Sequence, residues 1–162
     1  MASNEKGALF PAEGGVREKV LDFIQQAVSK GCFDAVLIPA KAPGNDSFTY
    51  LLIRDESFLE NAYPLPPVMS VQGAKAISSL TRRGKGNMKI AALIRPCELR
   101  ATVELFKLGQ VDLENIVLIS IDCPGALPLS DWVKDPKKAE STFLEVLKGG
   151  ANERTSKNVL SA

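Results

Sequence analysis

Apolar positions follow two rhythms along the chain, one helical and one strand-like. From about Val16 to Lys30, the residues Val16, Val20, Ile24, Ala27 and Val28 recur at helical spacing, which predicts an amphipathic helix ended by Gly31. Ala35 to Ile38 is a short unbroken apolar run stopped by Pro39, and it reads as a buried strand. Phe48 to Ile53 is rich in aromatic and β-branched residues and predicts a second strand, placed to pair antiparallel with the first. A helix is expected from about Val71 to Arg83, with Val71, Ala74, Ile77 and Thr81 facing inward and Gly84 and Gly86 ending it. Lys89 to Ile94 predicts a third strand, whose continuous apolar character predicts burial on both faces. Pro96 opens a helix through about Leu108, with Leu99, Val103 and Phe106 as its buried stripe and Gly109 closing it. Ile116 to Ile121 predicts a fourth buried strand. Asp135-Pro136 reads as an N-cap followed by proline at the first helical position. That helix carries Ala139, Phe143 and Leu147 on one face and is stopped by Gly149-Gly150.

The connections are legible too. Residues 1–15 read as an irregular arm, and Lys41 to Ser47 as a solvated turn around Pro43, Gly44, Asn45 and Asp46. Pro64, Pro66 and Pro67 predict a stiff, extended connector. Residues 151–162 read as a polar, disordered tail. The alternation of helices with apolar strands predicts an α/β fold: three layers, with a mostly parallel sheet of about four strands flanked by helices. It fills a single domain over residues 1–150.

Composition narrows the chemistry. The 162 residues carry 20 Lys and Arg against 19 Asp and Glu, a net charge of +1, so nothing electrostatic points to nucleic acid or an anionic membrane. No apolar run approaches the roughly 18 residues of a membrane span. Histidine is absent, which excludes Ser-His-Asp and Cys-His catalysis and His-ligated metals for this chain. The three cysteines, Cys32, Cys97 and Cys123, are widely spaced and odd in number, which is no disulfide framework and fits a reducing cytoplasm.

Ligands of open α/β sheets bind outside the carboxyl ends of the strands. Cys97 follows the third predicted strand at a helix start, and Cys123 follows the fourth in a tight Cys-Pro-Gly loop. A thiol at a helix start beside Arg95 and Arg100 is expected to ionise readily. Cys97 is thus a candidate metal ligand or redox thiol, or part of an anion-binding helix start with Arg95. The alternative is a small apolar residue packed against a strand end. Cys123 precedes amides suited to a thiolate ligand, the alternative being a simple turn. Cys32, in a helix–strand connector, reads as structural. Arg82, Arg83 and Lys85 read as helix-end charges rather than a ligand site. By count, three cysteines cannot by themselves hold a cubane cluster that needs four thiolates.

Two segments then carry a resemblance. Pro64 to Ala76 is one, and the other runs from Ile94-Arg95-Pro96-Cys97-Glu98-Leu99-Arg100-Ala101 to Asp122-Cys123-Pro124-Gly125. Together they resemble the N-terminal region of the coenzyme F(420) hydrogenase/dehydrogenase beta-subunit family, in its formate dehydrogenase beta-subunit branch. The likeness covers roughly residues 16–135. It implies an electron-transfer module using FAD and a [4Fe-4S] cluster, partnered by other subunits of a hydrogenase/dehydrogenase complex or by a C-terminal half. It implies Cys123 as a metal ligand, and Arg95, Cys97 and Arg100 as a cofactor-binding group. Family members continue into a cysteine-rich segment, whereas residues 152–162 hold no cysteine. The chain is therefore expected to be incomplete as a redox unit: a natural fragment, a split-gene product or a truncated piece. The alternative reading is a non-catalytic assembly or nucleotide/anion-binding domain that has lost the redox half.

Overall fold

The computed structural model describes residues 15–44 and 47–148. The arm, Asn45 and Asp46, the Gly149-Gly150 stop and the tail lie outside the described residues. In chain order the elements are α1 (Val16–Ser29), β1 (Ala35–Lys41), β2 (Phe48–Ile53), a 3-10 turn (Glu56–Asn61), α2 (Gly73–Thr81), β3 (Ile90–Ile94), α3 (Pro96–Lys107), β4 (Ile116–Ser120), α4 (Leu129–Lys134) and α5 (Pro136–Lys148). The sheet order is β2-β1-β3-β4, with β1, β3 and β4 parallel and β2 antiparallel to β1. This is the predicted three-layer α/β architecture. No helix among the described residues is long and apolar enough to cross a membrane.

The period-two alternation of the strands divides the core. Val36, Ile38, Ala91 and Leu93 point to one face, where Ile24 of α1 packs with Val20, Leu21 and Val28. Ala35, Leu37, Ile90, Ala92 and Ile94 point to the other, under Ile77 of α2 and Leu99 and Leu105 of α3. A third cluster joins Phe48, Tyr63, Trp132, Ala139 and Phe143. It gathers α4 and α5 beside the carboxyl end of β1.

Several expectations need correction. β1 does not stop at Pro39 but runs to Lys41, with Pro39 opposite Tyr50 of β2. A strand residue's N–H and C=O point to the same side. The Pro39 carbonyl accepts from the Tyr63 N–H (2.7 Å), so the missing donor of Pro39 faces away from β2 and costs no ladder bond. α2 starts at Gly73, leaving Val71 outside the helix and 40% exposed. The buried stripe of α3 is not Leu99, Val103 and Phe106. Val103 and Phe106 are 37% and 51% exposed, Leu99 is half-buried, and the fully buried positions are Glu98 and Thr102. β4 ends at Ser120 and is not buried on both faces: no further strand pairs with it among the described residues, and Val117 is exposed. The 3-10 turn and α4 had no apolar period long enough to announce them.

Other signals hold. Gly109, at φ 67°, closes α3 by donating to the Phe106 carbonyl (3.0 Å), while Gln110 donates to Leu105 (2.8 Å). Asp135 Oδ1 accepts from the Lys138 N–H (3.0 Å), capping α5 in front of Pro136.

Candidate functional site

β2 is the antiparallel hairpin partner of β1, and the parallel strands β1, β3 and β4 follow in sequence order, with α2 and α3 packed side by side on one face. The carboxyl edge of these parallel strands is where open α/β sheets bind ligands. Three segments converge there: the start of β2, the proline connector into α2, and the Arg95-Pro96-Cys97-Glu98 turn into α3.

The connector is irregular yet buried from Tyr63 to Val68. Its prolines bring no donors, so only their carbonyls need partners. Pro67 accepts from the Leu127 N–H (2.7 Å), and Pro66 accepts from the guanidinium Nη2 of Arg95. Arg95 is only 3% exposed. Its charge lies beneath the rim and serves the connector, rather than reaching outward.

Glu98 is the centre of the arrangement. Its side chain is fully buried. Oε1 accepts from the Gly73 N–H at the start of α2 (2.6 Å). Oε2 accepts from the Tyr50 hydroxyl (2.8 Å) and from the Arg95 N–H at the start of α3 (2.8 Å). Removing a carboxylate from water costs several kcal/mol, and hydrogen bonds to charged groups return about 1.5–3 kcal/mol each. Three donors and two helix starts are therefore what this burial requires. The Tyr50 phenol is pushed well above its ordinary value, first by burial and then by the Glu98 carboxylate, so it remains a donor at neutral pH. A crevice of about 10 Å³, enough for about one water, opens between Tyr50, Ser70, Arg95 and Glu98.

The parallel pairing of β3 and β4 brings the Cys97 turn and the Cys123 loop to the same sheet edge, on neighbouring strands. Cys97 is exposed in the first turn of α3, and Arg100 is exposed one turn further on. Cys123 is half-buried. Its sulfur accepts from the Gly125 N–H (3.4 Å) and its thiol reaches the Gly125 carbonyl oxygen (3.3 Å). Cys32 is exposed in the α1–β1 connector, at the opposite edge of the sheet. Among the described residues, no group of three or more Cys, Asp or Glu side chains could hold a metal ion. The ligands present here therefore do not fit a complete [4Fe-4S] cluster, and the crevice is too small to enclose a flavin ring. A wider open depression of about 820 Å³, lined by Lys75, Arg82, Gln110 and Asp112, carries none of the predicted site residues.

Sequence reasoning named Glu98 only as part of a motif and missed Tyr50 and Gly73. One signal was available: Glu98 stands at the third helical position, where a carboxylate reaches back to the N-cap amide.

These features define an α/β domain with its candidate site at the carboxyl edge of a mostly parallel sheet. Within that class, the chain is a distant homologue of an oxidoreductase subunit. It is 26% identical to the F420-dependent formate dehydrogenase 1 subunit beta of Methanococcus maripaludis, over 93% of this chain and 43% of that relative. This bears out the resemblance read from the two sequence segments. The chain spans less than half the length of that relative. No protein-family profile matches the chain.

Proposed function

We propose that this chain is the electron-transfer module of a formate dehydrogenase or deazaflavin-dependent hydrogenase/dehydrogenase beta subunit, working in the cytoplasm and incomplete without other polypeptide. The observation that carries the reading is the placement of Cys97 and Cys123 on neighbouring parallel strands at one sheet edge, in a homologue of a formate dehydrogenase subunit. In this proposal Cys123 is one thiolate of a [4Fe-4S] site whose other ligands come from elsewhere, and Cys97 and Arg100 stand on the rim facing a flavin such as FAD. Arg95 supplies positive charge from beneath. The protein's part is position and electrostatics, the electron chemistry being the cofactor's. The partners are other subunits of a hydrogenase/dehydrogenase complex, or a polypeptide equivalent to the remainder of the relative.

The test is anaerobic purification of the full chain alone and co-expressed with a formate dehydrogenase catalytic subunit. Alone, it is expected to hold little or no cluster. In the complex, iron and sulfide are expected to be bound, and Cys123→Ser is expected to lower the iron content. A stoichiometric cubane on the isolated chain would refute the ligand deficit. A complex whose iron and flavin contents ignore Cys123→Ser would favour a non-catalytic assembly or nucleotide/anion-binding role.

A further inference from the structure

Two helix starts meet at the carboxyl edge of the parallel strands. α2 begins at Gly73 and α3 at Pro96, both at the carboxyl edge. Such starts carry unpaired backbone donors and partial positive charge, and open α/β proteins use them to hold phosphate. Here the donors converge on one anion, and it belongs to the chain. Glu98 takes the first amide of α2, the amide that precedes α3 and the hydroxyl of Tyr50, from a side chain with no exposed surface. The guanidinium of Arg95 lines the same crevice. The space left beside the carboxylate, about 10 Å³, is far too small for a phosphate.

We infer that Glu98 is a built-in anion that fills the phosphate position of this fold, so that a phosphate-bearing ligand cannot anchor between β1 and β3. Such a ligand has to take its anion contacts further out on the rim, where Arg100 is exposed. Glu98 thereby determines which part of the edge a cofactor can use, and it fixes the turn that presents Cys97. The inference rests on hydrogen bonds within this chain and stands whether or not the electron-transfer reading holds.

The full chain, labelled with nitrogen-15, is titrated with inorganic phosphate at constant ionic strength. The Gly73 and Arg95 amide signals are expected to show no saturable shift. Glu98→Ala removes the carboxylate and leaves its donors unpaired. In that variant acetate is expected to raise the melting temperature saturably and to shift the same two amides. Glu98→Gln keeps the position filled and is expected to show neither response. A saturable phosphate shift of both amides in the unaltered chain overturns the inference, as does a folded Glu98→Ala that acetate neither binds nor stabilises. Should Glu98→Ala not fold, the phosphate titration of the unaltered chain decides alone.

Discussion

At Gly73 the backbone of α2 comes so near β2 and β3 that a Cβ would lie 2.7 Å from the Tyr50 hydroxyl oxygen and 2.9 Å from Ile94 Cγ2. The hydroxyl cannot swing away without leaving Glu98, to which it donates. Alanine would gain about 0.5–1 kcal/mol in helix preference over glycine. Overpacking a filled site costs about 1–3 kcal/mol, so the clash wins. Gly73→Ala is therefore expected to lower unfolding stability by about 1–2 kcal/mol in urea titration, with an unchanged slope. An equal or higher midpoint would show that the approach at Gly73 is loose. Nothing in the local sequence marks this glycine. It is needed because of Tyr50 and Ile94, which stand 23 positions before it and 21 after it in the chain.

Helices that face an apolar core were readable from their spacing. α5 is one: Ala139 and Phe143 are buried, Leu147 packs against the same cluster, and Asp135 caps the start as its identity suggested. Phe143 is fully buried beside Trp132 and Tyr63. Phe143→Ala is expected to cost about 3–5 kcal/mol, from lost transfer energy and the cavity left behind. A loss below about 1 kcal/mol in chemical denaturation would mean that α5 is not an integral layer. α3 defeats the same method because its innermost positions are polar. Glu98 and Thr102 stand one turn apart, and the Thr102 hydroxyl donates to the Glu98 carbonyl (2.8 Å). A search for apolar period therefore selects the neighbouring stripe, which lies partly in solvent.

Across the whole molecule, the two tyrosines stand at separate points of the carboxyl edge and share one property. Tyr63 is buried, with the Arg17 guanidinium 4.9 Å and the Lys41 ammonium 5.3 Å from its ring centre, and Lys41 pairs with Glu140 of α5 (2.7 Å). Burial first, and next the Glu140 carboxylate, push its phenol upward, as burial and Glu98 do for Tyr50. In the unfolded chain both phenols ionise near their ordinary value of 10.0. In the folded chain both hold their protons to higher pH. The contribution is complete below about pH 10 and is lost as pH rises through the folded values, because ionisation then favours the unfolded state. Spectrophotometric titration is expected to reveal no phenolate below pH 10, and then both phenolates together with loss of structure. A phenolate that appears reversibly near pH 10 in the intact fold would contradict this.

The amino-acid sequence by itself determined the α/β class, the four strands, the existence of the four longer helices α1, α2, α3 and α5, and the two loops that follow β3 and β4. Those depend on local spacing and turn residues. Tertiary structure alone decided that β4, among the described residues, pairs with β3 and no further strand, and that Pro39 continues a strand. It also decided that Arg95 faces inward to a proline carbonyl, and that Glu98 joins two helix starts. Each of those depends on which distant backbone group lies within hydrogen-bonding reach, and only the folded chain sets that distance.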